Sequence, residues 1–303
     1  MRQMDRQAVA AALPWDALVE ALRAVFTEGC EAPLRHRHAL PEGGTLLLMP
    51  AIGLGHSGVK IVHVAPGNAA RGLPAVHAEY LLSDAVTGAP VALLDGGELT
   101  DRRTAAASVL AARFLARPES RRHLVLGAGK VAAALAEAFH DAYGMAETAI
   151  WARRPEQAEA LAARLAAHGV NARAVAHIDP AGFDIISAAT LAAEPLIRGA
   201  LLRPGQHLDL VGAYRPDMRE ADGAALAHAL CVVDTRLGGL NEAGDVVQAI
   251  AEGAITPGHI VADLADLCRG AHPGRTEAGQ ITLFKSVGWA GEDLAAALLA
   301  TRA

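Results

Sequence analysis

Cysteine is scarce. Cys30, Cys231 and Cys268 are odd in number, far apart in 303 residues and outside any C-x-x-C spacing, which excludes a disulfide framework or a cysteine zinc site and fits a reducing compartment. Long hydrophobic runs are missing as well: none reaches the roughly 20 residues that span a bilayer. The opening stretch MRQMDRQAVAAALPWDALVEAL is broken by Asp5, Asp16 and Glu20, so it lacks the continuous apolar core of a secretory signal. Nor is there a concentrated basic stripe. The net charge is −6 with histidine neutral, which argues against nucleic acid as a partner. A cytoplasmic protein is the expectation. Several reactive motifs are also absent. There is no G-x-S-x-G, and Ser57-Gly58-Val59-Lys60 has the S-x-x-K spelling without the S-D-N or K-T-G companions of a serine acyl-enzyme. His36 and His38 lack nearby third and fourth ligands, so no metal site is expected.

What is present is an alanine-rich chain, 52% apolar, long enough that two domains are the default. Residues 16–28, DALVEALRAVFTE, set Leu18, Leu22, Val25 and Phe26 at helical spacing. From Thr45 to Leu94 the pattern becomes short β-rich runs separated by PGN and TG turns, predicting an antiparallel, hairpin-like sheet. TDRRTAAASVLAARFLA predicts a helix capped by Thr100 and stopped by Pro118. Buried strands then alternate with helices from HLVLGAGK to LCVVDT, the signature of a doubly wound parallel sheet. The run ITLFKSVG and a terminal helix, WAGEDLAAALLA, close the chain. The expected class is α/β: a Rossmann-type parallel sheet over residues 116–285, beside a mixed α+β domain over 1–115 that is completed by 286–303.

Gly127, Gly129 and Ala132 form G-x-G-x-x-A between the strand HLVL and a helix. The first glycine permits a tight turn, the second lets backbone approach a pyrophosphate, and the small third residue lets helix pack close to strand. The helix N-terminus offers unpaired N–H groups to the phosphates. The turn residues Gly127, Ala128, Gly129, Lys130 and Val131 are therefore candidate dinucleotide contacts. An acidic residue normally follows about 20 residues on, to hold the ribose of NAD. Here Ala152 stands in that place, followed by Arg153 and Arg154. Two arginines suit a 2′-phosphate through charge-assisted hydrogen bonds, so NADPH is expected ahead of NADH.

Three cations are oddly placed. Lys60 shares strand parity with Val62 and Val64, so its ammonium must be paired, lose its proton, meet an anion, or snorkel to water. Arg102 and Arg103 fall in the first turn of the helix expected to start at Thr100, where the helix dipole disfavours cations. Either an anion sits there or Arg103 pairs locally with Asp101.

The segments GTLLLMPA, GVKIVHVAPGNAARGLPAVHAEYLL, ALLDGGELTDRRTAAASVLAARFLA, LVLGAGKVA, VVDTR, NEAGD and ITLFKSVGWAGEDLAAA together resemble the ornithine cyclodeaminase/mu-crystallin family. The resemblance implies a Rossmann domain beside a substrate domain that also forms a homodimer. It implies hydride exchange between a nicotinamide and a carbon bearing nitrogen and carboxylate. By the same resemblance Arg35, Lys60 and Arg103 hold the substrate carboxylate, His77 lies near the reacting groups, and Ser286 and Val287 close the site. Thr104, Thr190 and Val211 line the cofactor.

One position departs from the family. Ornithine cyclodeaminases read approximately VGGD where this chain reads VGAY, which puts Tyr214 in place of an aspartate. A phenol is a poor base at neutral pH but a good hydrogen-bond donor. The departure points to reduction of a cyclic ketimine carboxylate, 1-pyrroline-2-carboxylate or 1-piperideine-2-carboxylate, to proline or pipecolate, with Lys60, Arg103 and Tyr214 as the catalytic set. Ornithine cyclodeamination would need Asp217 or Glu220 to replace the aspartate. An NADPH-binding, crystallin-like protein with little turnover is the alternative of another class.

Overall fold

The structure, a computed structural model, describes residues 1–302. The chain divides into two compact units, Met1–Arg103 with Trp289–Ala303, and Thr104–Gly288.

The first unit is built on a six-stranded sheet. Strands β1 (Arg2–Met4), β2 (His36–Ala39), β3 (Thr45–Gly53), β4 (His56–Val64), β5 (Val76–Asp84) and β6 (Pro90–Asp95) lie in the order β1-β6-β5-β4-β3-β2. Strands β2 to β6 pair antiparallel in sequence, as the turn-punctuated runs predict, and β1 joins the edge parallel to β6. Alternation sets the faces: Leu47, Met49 and Ala51 of β3 are buried with Val62, Tyr80 and Leu82. Two short helical elements open the unit. Helix α1 (Arg6–Ala12) starts where the Asp5 side chain accepts from Ala8 N, and α2 (Trp15–Glu28) buries Leu18, Val19, Leu22, Val25 and Phe26 along one stripe. At roughly 1.5–3 kcal/mol per fully buried apolar side chain, that stripe is what holds α2 down. Gly29, with φ 84°, ends it. The C-terminal helix (Ala290–Arg302) packs on α2 and on β3, β4 and β5, and Trp289 just before it stacks at 4.9 Å on Phe26.

Helix α3 (Gly96–Leu115) begins a full turn before the expected start. Its first turn is capped by Asp95, whose Oδ1 accepts from Glu98 N at 2.6 Å. Thr100 is interior, its hydroxyl donating back to the Gly96 carbonyl at 2.7 Å. The glycine pair Gly96-Gly97 had disguised the start. A Cβ on Gly96 would lie 2.8 Å from backbone atoms of Ala78 and Glu79, so glycine is what lets the helix begin against β5. Arg102 and Arg103 therefore sit in the second turn, and the dipole argument for an anion at a helix end does not apply to them.

The second unit is an all-parallel, eight-stranded sheet. Its strands are β7 (Arg122–Leu126), β8 (Glu147–Trp151), β9 (Ala172–Ala174), β10 (Ile185–Ala188), β11 (His207–Leu210), β12 (Ala229–Val233), β13 (Ile260–Asp263) and β14 (Ile281–Lys285), in the order β13-β12-β14-β11-β10-β7-β8-β9. The strand order reverses between β7 and β10, which creates the crevice at strand C-termini where dinucleotides bind in such sheets. The run ITLFK becomes β14, inserted between β11 and β12. Helices α4 (Lys130–Tyr143), α5 (Pro155–Ala167), α6 (Gly223–His228), α7 (Arg236–Asn241), α8 (Gly244–Ala251) and α9 (Leu264–Cys268) connect the strands.

Candidate active site

The turn after β7 has the shape that its three small residues predict. Gly127 has φ 120°, and a Cβ there would stand 2.6 Å from the Ala189 carbonyl oxygen, so the fold itself requires glycine. Gly129 is different. It caps α4 without any side-chain hydrogen bond, and a Cβ on it would meet no protein atom within 4 Å. Nothing in the protein needs that space, whereas a pyrophosphate approaching the α4 N–H groups does. Ala128 and Val131 are half-buried, Lys130 is exposed, and Ala132 is fully buried beneath the helix. After β8, Ala152 is buried while Arg153 and Arg154 are exposed. Neither guanidinium forms a hydrogen bond or ion pair among the described residues. The turn and the arginine pair fit an NAD(P) dinucleotide.

Across the strand ends of the same unit, Glu220 performs a structural task. Its Oε1 accepts from Thr190 N at 2.7 Å and Thr190 Oγ1 at 2.8 Å, and its Oε2 accepts from Gly212 N at 2.7 Å and Ala213 N at 3.2 Å. One carboxylate thus ties the loop after β10 to the loop after β11. Burial pushes its pKa up, and the Lys285 ammonium, 3.7 Å away, opposes the shift. Lys285 lies 2.9 Å from Asp245, whose other oxygen accepts from Glu220 N and Ala221 N. All three side chains are inaccessible to solvent. Asp217, by contrast, is exposed and forms a two-pronged pair with Arg215 at 2.9 Å. The two carboxylates offered by the sequence as substitutes for the family aspartate are therefore both engaged elsewhere. Tyr214 is half-buried against the hydrophobic cluster of this unit, and Val211 is half-buried beside it, its N–H donating to Ala188 O. Thr104 is buried inside α3.

The segment Ser286–Gly288 is pinned by Asp234. One oxygen, Oδ2, accepts from Ser286 Oγ at 3.0 Å and from the N–H groups of Val287 and Gly288 at 2.7 Å each. Elsewhere in the sheet His123, Ser187 and Asp209 form a chain that superficially matches a nucleophilic triad. The serine hydroxyl donates to the aspartate rather than receiving an oriented imidazole, and all three are shut off from solvent. Burial drives His123 down to about 3 and Asp209 up to about 6, which describes a core seam.

In the first unit the oddly placed cations have partners. Lys60 is 2% exposed and donates to Asp293 Oδ1 at 2.9 Å, with Oδ2 at 2.8 Å. Arg103 Nε donates to the same Oδ1 at 3.0 Å, and its Nη1 donates to Glu292 Oε2 at 2.7 Å. Asp101 is paired with Arg6, and Arg102 pairs with Glu98 and donates to the Leu13 carbonyl. Desolvation pulls the Lys60 ammonium down to about 8, against the pull of Asp293 and with help from Arg103 and Arg35. Tyr80, directly opposite Lys60 across the β4–β5 ladder, is buried and its phenol is pushed well up. Arg35 is half-buried just before β2, and His77 is exposed on β5.

A model of the ornithine cyclodeaminase/mu-crystallin family matches residues 6–301. The chain belongs to that family. It is 43% identical over 289 residues to the Delta(1)-pyrroline-2-carboxylate reductase of Paracoccus denitrificans, covering 93% of this chain and 90% of that one. It is 34% identical over 290 residues to the ketimine reductase mu-crystallin of Rattus norvegicus, covering 93% and 89%. The structure of Thermococcus litoralis Delta(1)-pyrroline-2-carboxylate reductase in complex with NADH and L-proline superposes with a TM-score of 0.95 at 34% identity, covering all of this chain and 97% of that one.

Within this family member, sequence reasoning missed the acids that organise the cations. Glu292 and Asp293 were visible only as part of WAGEDLAAALLA, where two acids at a helix start read as ordinary dipole complements. A stronger signal was available in the lysines. The chain has only three, Lys60, Lys130 and Lys285, and two are buried, which demands buried carboxylates somewhere in the sequence.

Proposed function

We propose that this protein reduces a cyclic ketimine carboxylate, 1-pyrroline-2-carboxylate or 1-piperideine-2-carboxylate, to L-proline or L-pipecolate, preferring NADPH to NADH. The observation that carries the reading is a combination. A buried Lys60–Arg103 cation pair is retained, while the position of the cyclodeaminase aspartate holds Tyr214 and both nearby acids are engaged elsewhere. A ring that is already closed and already an imine needs a carboxylate anchor, a hydride and one proton, and no ammonium-binding acid.

In this reading Lys60, Arg103 and Arg35 hold the substrate carboxylate and so orient the imine carbon. The nicotinamide, when bound, supplies the hydride to that carbon. Tyr214 or an ordered water gives the ring nitrogen its proton, completing the amine. Thr104, Thr190, Val211 and the turn Gly127–Val131 contact the cofactor, Arg153 and Arg154 take its 2′-phosphate, and Ser286 and Val287 border the substrate; His77, on the face of β5 opposite Tyr80 and Lys60, is left out of the site. The protein works in the cytoplasm as a homodimer. The dimer would use the sheet face of the first unit opposite its helices, where Leu46, Leu48, Ile61 and Leu81 are half-buried and Ile52 is half exposed.

Oxidation of NADPH on adding 1-pyrroline-2-carboxylate, followed at 340 nm, tests the assignment. Turnover of ornithine with release of ammonia and no net change in cofactor would replace it with cyclodeamination. Tight NADPH binding without turnover of either compound would leave a crystallin-like binding protein.

A further inference from the structure

The buried carboxylate of Asp293 receives hydrogen bonds from both Lys60 and Arg103, although these cations come from β4 and α3 and the acid from the first turn of the C-terminal helix. We propose that Asp293 is the positioning residue of the carboxylate clamp, keeping Lys60 charged and aimed so that it captures the ketimine carboxylate. The inference rests on the functional reading above, since it names what sustains the cation that reading uses.

Geometry supports it in three ways. An ammonium has three donors, and among the described residues Asp293 is the one hydrogen-bond acceptor Lys60 has, so donor capacity remains for a second anion. Lys60 is itself buried where it meets the wholly buried Asp293, so bulk water does not stand in for that carboxylate. The groups facing Lys60 are otherwise unhelpful to its charge. Arg103 and Arg35 repel it, Tyr80 opposite on β5 is held neutral by burial, and the second acid, Glu292, is bonded to Arg103. Desolvation already brings Lys60 down to about 8, close to the pH at which it would stop being a cation.

The consequence is a crossover in pH. Without Asp293 the clamp would attract an anion at least as well below neutrality, because one negative charge has gone. It would fail at higher pH, because Lys60 would lose its proton sooner. A purely structural role gives no such crossover.

Three lysines make a direct measurement practicable. Protein labelled with 13C at lysine Cε gives three side-chain signals, and Lys60→Met assigns one of them. In the NADPH-loaded wild type, the Lys60 signal should titrate near pH 8. In Asp293→Asn its midpoint should fall by about one unit or more, the usual effect of losing an adjacent opposite charge. Asp293→Glu should return it toward the wild-type value, and Glu292→Gln, which takes one carboxylate from Arg103 and leaves Asp293 in place, should shift it less. An unmoved midpoint in Asp293→Asn, or an equal shift in Glu292→Gln, overturns the proposal. Should Asp293→Asn fail to fold, Asp293→Ser takes its place: a midpoint lowered further than in Glu292→Gln supports the role, and one lowered no further overturns it. Adding pyrrole-2-carboxylate to the wild type should raise the Lys60 midpoint. If the midpoint depends on Asp293 but the analogue leaves it unchanged, it is the assignment of the clamp to a ketimine carboxylate that fails.

Discussion

Tyr214 and Arg153 each make one chemical distinction. Tyr214 stands on the loop after β11, and in the proposed reaction its hydroxyl is a proton donor to the ring nitrogen. Tyr214→Phe keeps the ring that packs against the Rossmann core and removes only the donor. Ketimine reduction should fall by about 10²-fold, the lower range for losing a general acid, with cofactor affinity unchanged. Unchanged turnover would assign the proton to water. Arg153 is exposed and has no partner among the described residues, so its removal costs the fold little. Arg153→Ala should weaken NADPH binding about tenfold and NADH binding hardly at all in a fluorescence titration, as expected for one lost charge-assisted contact to phosphate. Equal losses for both cofactors would remove the basis for NADPH preference. At this scale the sequence was readable wherever a residue offended a local rule. Lys60 in an apolar strand, and arginine after the second Rossmann strand, were visible without coordinates. The partner of Lys60 was not, because Asp293 lies 233 residues away along the chain and only folding brings the two together.

Helices and strands fix where these groups stand. Strands β3 to β8, β10 to β12 and β14 followed from their hydrophobic runs, whereas the short β1, β2, β9 and β13 were not legible in the sequence. The start of α3 did not, because Gly96-Gly97 lowers helix propensity in the very turn where glycine is needed for close approach to β5. The tie made by Glu220 is hidden in the sequence for a related reason. Its neighbours RPDMREAD look like a solvated loop, yet the chain folds inward and the carboxylate takes four donors from the ends of β10 and β11. Glu220→Gln replaces one acceptor oxygen by a donor facing backbone N–H groups, so the loops carrying Thr190 and Tyr214 should loosen together. NADPH affinity should fall by about tenfold, in line with the roughly 1–3 kcal/mol for an unsatisfied buried polar group. Wild-type affinity in this variant would mean that the tie between the loops does not serve the cofactor.

At the scale of the whole molecule, the proposed reaction gives the acid-organised cation pair of the first unit the substrate carboxylate and the glycine turn of the second unit the cofactor. The first unit also leaves one sheet face open, with Ile52 half exposed beside Leu46, Leu48, Ile61 and Leu81. Light scattering on the purified protein should give a mass near twice 31.3 kDa, and Ile52→Asp should lower it toward that of one chain. A monomeric wild type would leave that face without its proposed partner. The central claim is that hydride passes from the reduced nicotinamide to the carbon bearing the carboxylate. Its most direct test uses NADPH deuterated at the transferable C4 position with unlabelled 1-pyrroline-2-carboxylate, and reads the product by mass spectrometry and NMR. The account predicts L-proline carrying a single deuterium at Cα, in amounts equal to the NADPH consumed. Proline without deuterium, or no proline while ornithine is converted, would contradict it.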